Sequence, residues 1–405
     1  MDLKKLQKLA RAYALKNAIA YNGKAQTGSV ISSLFHEGLK PEEVKKNIKE
    51  INKIISEVNS LSLEEQEEEF GTLKKGVSER KGREGLAELP DVKKGKVIMR
   101  FAPSPSGPFH VGHALTACLS FLYVEKYKGK FYVRIEDTNP ENIYKPAYKM
   151  IEQESKWLFK NKAKIVIQSD RMKNYYKCAE KLIKKNAAYV CSCSSEKFKK
   201  FSDFKEDCPC RNNDLKENLY RWKKMLKDAE EGEFVLRFKS FNGMKDQNPA
   251  MRDFPLARIN LTKHPRQGKK YHVWPLMNLS VTADDIEMKI THIIRGKDHL
   301  DNAKRQKMIY EALGEKKKIP WTGFLGRIKF TDLELSSTKI REAIEKGKFK
   351  GWDDEKLPTI ASLKKRGYKP EAFYKFAERV GISENDKVMN KEEFYILLNS
   401  FNKIT

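Results

Sequence analysis

No run of about 18 apolar residues, the length a membrane-spanning helix needs, occurs in the chain. A secretory leader is also absent: Lys4, Lys5, Lys8 and Lys16 stand where its apolar core would be. The expectation is a soluble, cytoplasmic protein with no membrane partner. Internal repeats are missing, which sets aside solenoids and propellers. The six cysteines do not suggest a disulfide framework, because Cys118 and Cys178 each sit alone in a helix-like segment and so suit a reducing compartment. Acidic charge is in deficit, with 81 Lys+Arg against 55 Asp+Glu and a formal net charge of +26. That excess reflects either a general lysine bias or a polyanionic partner.

What is present is enough chain, 405 residues, for two or three domains. Residues 1–70 carry helical periodicity. "LKKLQKLARAYALKNAIAYN" puts Leu6, Leu9, Ala10, Tyr13 and Ala20 near one face, and "PEEVKKNIKEINKIISEVNSL" repeats the pattern. Residues 71–95 are polar and rich in Gly and Lys, the composition of a linker. From residue 96, strand-like and helix-like segments alternate: "KVIMRFA", a helix after His110, "KFYVRIED", a helix over 146–160, "AKIVIQS" and a helix over 171–186. Alternation of this kind predicts an α/β fold with a parallel sheet covered by helices. A less regular stretch spans about 190–265 before the pattern resumes at "ITHIIRGKDHL", and the last 75 residues read as mostly helical.

The most informative stretch is "VIMRFAPSPSGPFHVGHALTACLSFLYVEKY", residues 97–127. In a doubly wound sheet ligands bind beyond the carboxyl ends of the strands, and the first strand-to-helix loop faces that crevice. Free amides at a helix start attract phosphate. His110 and His113, three residues apart, project from one side of that first turn, and Gly112 between them leaves room for a flat base against the backbone. A lone histidine would more simply cap or pack. Pro-x-Pro-x-Gly-x-x-His-x-Gly-His after a strand points instead to triphosphate binding.

"RFAPSPSGPFHVGHA" followed by "RIEDTNP" resembles the signature of class I glutamyl- and glutaminyl-tRNA synthetases. The set "IQSDRM", "YVCSC", "CPCR", "RDFPLARI", "HPRQGKKYHVWPLMN", "THIIRGKDH" and "GWDDEKLPTIASLKKRGY" is similar to the archaeal glutamyl type. The resemblance implies a Rossmann-type doubly wound parallel sheet, halved over 96–189 and 266–318 around an inserted acceptor-end-binding domain at 190–265. An N-terminal helical domain (1–70) and the linker (71–95) precede it, and a helical stem-contact domain (319–405) follows. It also implies a reaction. ATP, with Mg²⁺, activates L-glutamate to glutamyl-adenylate, and the 3′-terminal adenosine of tRNA(Glu) takes the acyl group, with tRNA(Gln) as a possible second acceptor.

By the same resemblance His110, Gly112, His113 and Lys339 are the catalytic set. Pro103, Ser104, Gly107, Ser336 and Ser337 join them around ATP. A second class I signature, a loop bearing a lysine, matches "LELSSTKIREAI". Its usual lysine slot holds Ser337 here, so the charge is expected from Lys339. Arg100, Ala102, Ser104, Glu136, Asn278 and Arg295 are the expected glutamate contacts. The two arginines suit a γ-carboxylate, because a planar guanidinium meets a carboxylate in two parallel bonds, and glutaminyl relatives lack the second. Many bacterial relatives carry a tyrosine where this chain has Met277, so the hydroxyl that would help grip the carboxylate is expected either to be absent or to be supplied from elsewhere, with Tyr271 as the candidate. Asp284 and Asp285 are expected at a helix start near the substrate and ribose.

Cys191, Cys193, Cys208 and Cys210 form Cys-x-Cys, a 14-residue gap and Cys-Pro-Cys. Four thiolates suit a structural, tetrahedral Zn²⁺; buried free thiols are the plainer alternative. Archaeal-type relatives continue beyond "FYILLNSFNKIT" into two β-barrels that read the anticodon, and the expectation is that these are absent. A split gene with a separate anticodon-binding polypeptide, a truncation, and an enzyme indifferent to the anticodon are three accounts of that absence. Two alternative functions stand beside the first: a glutamate-activating paralogue with a non-standard tRNA acceptor, and a non-catalytic tRNA-binding subunit of a split synthetase.

Overall fold

The computed structural model describes the chain except residues 1, 22, 75–76, 78–84 and 405, and the side chains of Ala20 and Ile404. Two compact units divide it, Met1–Glu84 and Gly85–Thr405. Of the polar 71–95 stretch, residues 75–76 and 78–84 lie outside the described residues.

The first unit is helical: α1 (Leu3–Ala20), α2 (Thr27–His36), α3 (Pro41–Ser60) and α4 (Leu63–Leu73). Leu6, Leu9, Ala10 and Tyr13 of α1 are buried against Ile51, Ile54, Ile55 and Val58 of α3, residues at helical spacing whose stripe must find an apolar partner. Pro41 opens α3, where a missing N–H costs nothing. Ser62 and Glu65 form a reciprocal capping box at the start of α4. One turn on, buried Gln66 donates to the carbonyls of Val58, Leu61 and Gly23, which satisfies the end of α3.

The second unit begins with β1 (Ile98–Phe101), α5 (Val111–Tyr127), β2 (Lys130–Ile135), α6 (Ala147–Leu158), β3 (Ala163–Ile167) and α7 (Met172–Lys184). These three strands are parallel, with Ile98 opposite Lys130 and Phe131 opposite Ala163. The chain then leaves for a four-stranded antiparallel sheet: β4 (Ala188–Cys191), helices α8 (Ser195–Phe204) and α9 (Leu215–Lys227), β5 (Val235–Phe238), β6 (Pro255–Ile259) and β7 (Val273–Pro275), in the order β4–β5–β6–β7. This sheet runs to Pro275, ten residues past the boundary drawn at 265. The reason is that β7 pairs with β6 through Ala257 and Pro275.

The chain returns through α10 (Met277–Glu287), β8 (His292–Gly296), α11 (Leu300–Leu313) and β9 (Trp321–Leu325). β8 and β9 are parallel, so the catalytic sheet reaches past residue 318. β8 meets β1 where the Thr291 amide donates to Ile98 and the Ile98 amide donates to Thr291 Oγ1, both at 2.9 Å. The strands therefore run β3–β2–β1–β8–β9. The order reverses between β1 and β8, and a crevice is forced open there. The remainder comprises β10 (Ile328–Phe330), α12 (Ser337–Glu345), α13 (Ile360–Lys365), α14 (Pro370–Val380), β11 (Lys387–Met389) and α15 (Lys391–Ile404). Sequence reading missed the parallel β10–β11 pair within that helical stretch. The core packs α5 between the sheet and α14, with Phe121 against Phe131 on one side and Tyr374 on the other.

Candidate active site

At the reversal point lies a cavity of about 340 Å³, walled by the ends of β1 and β8 and by the start of α5. Arg100, Ala102, Pro103, Ser104, His113, Glu136 and Arg295, all expected from sequence, line it. Met277, at the position where the sequence reading noted the lack of a tyrosine, lines it as well, and so do Thr116 and His299, to which that reading gave no role there.

The histidines sit where the strand-to-helix reading put them. His110 is the N-cap of α5, and its Nδ1 accepts the Gly112 N–H at 3.1 Å. With Nδ1 committed as acceptor, the neutral ring carries its proton on Nε2. The His110 and His113 rings stack, centroids 3.7 Å apart. Burial, reinforced by His113, holds His110 well below the usual imidazole range, and burial lowers His113 to about 4. Both are neutral hydrogen-bonding groups at physiological pH. A Cβ on Gly112 would lie 3.1 Å from the His110 ring, so the space over this glycine holds that ring and not open room for a base.

Behind the cavity, charges are paired with one exception. Arg100 donates through Nε and Nη2 to the two oxygens of Asp285 at 3.2 and 3.1 Å. Arg134 donates to Asp285 at 2.6 Å and to Glu136 at 3.0 Å. Burial works against the Asp285 anion, yet Arg100 and Arg134 outweigh it and keep the carboxyl below its usual range. Arg295, 8% exposed, donates from Nη1 to Gln306 Oε1 at 3.1 Å, and its Nε finds no partner among the described residues. Burial, with repulsion from Arg100, lowers it to about 10. It is a cavity-facing guanidinium with no carboxylate at ion-pair distance among the described residues. Such a group is costly to bury unless a ligand supplies the anion.

Several expected residues stand elsewhere. Asn278 does not line the cavity. Its carboxamide accepts from Gln306 at 3.3 Å and donates to Asn302 at 3.2 Å, two hydrogen bonds behind Arg295. Tyr271 packs edge-on to Trp274 and Tyr176 away from the cavity, so it does not replace the missing hydroxyl at Met277. Asp284 and Asp285 are not at a helix start but in the second half of α10, because the buried arginines need them: Asp284 accepts from Arg171, Tyr175 and Gln168.

Ser336 caps α12, and Ser337 presses on the histidine loop: a Cβ on Gly107 would stand 2.9 Å from the Ser337 Cβ. Leu335 reaches Gly112. The lysine loop thus docks on the first signature, but Lys339 Nζ lies 3.1 Å from Glu334, exposed and outside the cavity. Glu154, unforeseen, accepts the Phe109 amide at 2.7 Å just before His110. Burial raises its carboxyl to about 8 against that bond. Segment 358–360 pairs with the same loop through Val111 and Ile360.

In the antiparallel sheet the four expected cysteines converge, their Sγ atoms all within 4.8 Å of one another. Cys191–Cys208, Cys193–Cys208 and Cys193–Cys210 stand 3.6, 3.4 and 4.0 Å apart. A tetrahedron with metal–sulfur arms of about 2.3 Å has edges of about 3.8 Å. The four thiols fit a tetrahedral metal.

Residues 96–400 match the family of tRNA synthetases class I (E and Q), catalytic domain. The glutamate–tRNA ligase of Methanosphaera stadtmanae is 41% identical over 387 residues, 95% of this chain and 68% of that protein. That of Pyrococcus furiosus is 42% identical over 404 residues, again 95% and 68%. Among solved structures, a glutamate tRNA ligase from Elizabethkingia meningosepticum shares the fold with a TM-score of 0.52 at 21% identity, over 76% of this chain and 70% of that one. The order of the parallel strands, the capped histidine pair at their switch point and these matches lead to one conclusion: this chain belongs to the class I tRNA synthetases of the glutamyl and glutaminyl group.

Proposed function

We propose that the chain is a glutamate–tRNA ligase that forms glutamyl-adenylate from L-glutamate and ATP and passes the acyl group to the 3′-terminal adenosine of tRNA(Glu). The observation that carries the amino-acid choice is Arg295, a buried guanidinium with an unpartnered Nε at the cavity wall. A substrate γ-carboxylate supplies the charge it lacks; a neutral carboxamide does not. Glu136 takes the α-ammonium, while Ala102 and Ser104 line the rest of the pocket. Arg100, neutralised by Asp285, contributes donors more than net charge.

In the first step the substrate α-carboxylate attacks the α-phosphorus and pyrophosphate leaves. In the second an adenosine hydroxyl attacks the acyl carbonyl and AMP leaves. The protein aligns the groups and stabilises charge. The His110 Nε2–H, oriented by the Gly112 amide, and His113 serve as neutral donors to the phosphates. Mg²⁺ arrives with ATP, held largely by phosphate and water. Pro103, Ser104, Gly107, Ser336 and Ser337 frame the nucleotide. Lys339 must swing from Glu334 to reach it, as a loop on a helix start can.

Zn²⁺ is the metal that Cys191, Cys193, Cys208 and Cys210 suit, and it would brace the inserted sheet. Four thiolates on one divalent ion leave two negative charges, and Arg221, 3.6 Å from Cys210, and Arg237, near Cys191, offset them. Glutamate-dependent exchange of pyrophosphate into ATP tests the reading. Exchange with glutamate and little with glutamine is expected. No exchange with either, or a preference for glutamine, refutes it.

A further inference from the structure

Two residues at the cavity wall, Arg295 and His299, are joined behind it by three carboxamides. Arg295 Nη1 donates to Gln306 Oε1 at 3.1 Å, Gln306 Nε2 to Asn278 Oδ1 at 3.3 Å, and Asn278 Nδ2 to Asn302 Oδ1 at 3.2 Å. Asn302 Nδ2 then meets His299 Nδ1 at 3.2 Å. Gln306, Asn278 and Arg295 are buried, out of competition with water.

The direction of this chain follows from chemistry. A guanidinium only donates, so Gln306 must turn its oxygen to Arg295 and its NH₂ to Asn278. Asn278 must accept there and donate onward, and Asn302 likewise. The last NH₂ reaches His299 Nδ1, which can only accept, so the neutral imidazole carries its proton on Nε2. Burial, with the charge of Arg295, lowers His299 from its ordinary range against the opposing pull of the Asp298 carboxylate.

We propose that Gln306, Asn278 and Asn302 act as one positioning relay, which holds the guanidinium of Arg295 for the amino-acid carboxylate and fixes the tautomer of His299, whose ring lines the same cavity, with its Nε2–H on the side of Asp298, 3.8 Å away. Gln306 is the central positioning residue, since it alone holds Arg295 among the described residues. The amino-acid part of the inference rests on the proposed function; the tautomer part does not.

Two measurements test it. Nitrogen NMR of ¹⁵N-histidine-labelled protein, with His299 assigned through a His299→Gln variant, reports the tautomer directly. The Nε2–H form is expected in the wild type, and a shift towards Nδ1–H in Asn302→Asp, where a carboxylate can only accept. An Nδ1–H ring in the wild type, or one unmoved in Asn302→Asp, overturns the relay. Separately, Gln306→Met keeps the volume and removes both bonds. KM for glutamate in pyrophosphate exchange should rise about 10- to 100-fold, with KM for ATP within about twofold. An unchanged glutamate KM overturns the role of Gln306. If wild-type protein shows no glutamate-dependent exchange, the proposed function fails, and the NMR result still decides the relay.

Discussion

Replacing Arg295 by glutamine separates activity from stability, because the structure sets the two effects in opposite directions. Arg295 is buried beside Gln306, near the like charge of Arg100, and bears no carboxylate at ion-pair distance among the described residues. Its depression to about 10 means that burial and the neighbouring Arg100 disfavour the charged form, which is the form present in both folded and unfolded chains at neutral pH. The cost is on the order of 3 kcal/mol, discounted by whatever screening solvent gives through the open cavity. Arg295→Gln removes that cost and loses one hydrogen bond worth about 1 kcal/mol. The melting temperature should therefore hold or rise. Substrate binding should suffer instead, because a γ-carboxylate would enter a partly dry cavity without its cation, a loss of about 3–5 kcal/mol. At about 1.4 kcal/mol per decade this is roughly a 100- to 3000-fold fall in kcat/KM for glutamate. Pyrophosphate exchange across a glutamate series, alongside calorimetry, checks both arms. A variant with an unchanged glutamate KM removes Arg295 from the carboxylate site. A variant that loses stability and activity together shows that the buried charge was structural.

Elemental analysis should find about one zinc per chain, and Cys191→Ser with Cys208→Ser should lose the metal together with several degrees of melting temperature; an equally stable metal-free preparation refutes the site. His113 is held at about 4 against an ordinary 6.5, so below about 6.5 the unfolded chain binds a proton that the folded site refuses. Stability should therefore fall as pH drops from about 6.5 to about 4, by on the order of 3 kcal/mol for this ring, and His113→Asn should flatten the slope. The exposed Lys339–Glu334 pair should contribute under about 1 kcal/mol to stability, whereas Lys339→Ala should lower kcat for exchange about a hundredfold with the glutamate KM kept; an unaffected kcat would mean that Lys339 stays where it is seen. Binding of tRNA should weaken steeply with salt, given the +26 charge. Binding that is indifferent to salt would overturn that reading.

The histidine loop was legible because everything that shapes it is local: an apolar run, turn residues and a capping histidine within 97–113. The cysteines were legible because Cys-x-Cys and Cys-Pro-Cys each supply a pair of ligands without help from the fold. The pairing of Asp285 was not: the resemblance placed it at a helix start near the substrate, whereas its partners Arg100 and Arg134 lie 185 and 151 positions away. Asn278 shows a finer limit. A buried carboxamide in contact with substrate and one set behind the substrate-facing residues have the same sequence signature, and Gln306 on α11, between Asn278 and Arg295, decides between them. The antiparallel sheet escaped notice because β7 has only three residues and follows a long irregular loop after β6. Lys339 matched its motif in sequence, while its rotamer answers to Glu334.

The bond between Ile98 and Thr291 has a consequence for how the chain reaches this fold. Those residues are 193 positions apart, and β1 cannot gain β8 as a neighbour until the intervening chain is gathered in. Left unfolded, that segment would impose a large entropic toll on closure and make assembly slow. Folded first, its antiparallel sheet brings the exit at Ala188 and the return at Pro275 within three strand spacings, about 15 Å. The thiol cluster at the end of β4 anchors that sheet. Metal capture would then act as a timer on biogenesis: a nascent chain starved of the ion would hold two competent halves of a nucleotide-binding sheet and be slow to join them.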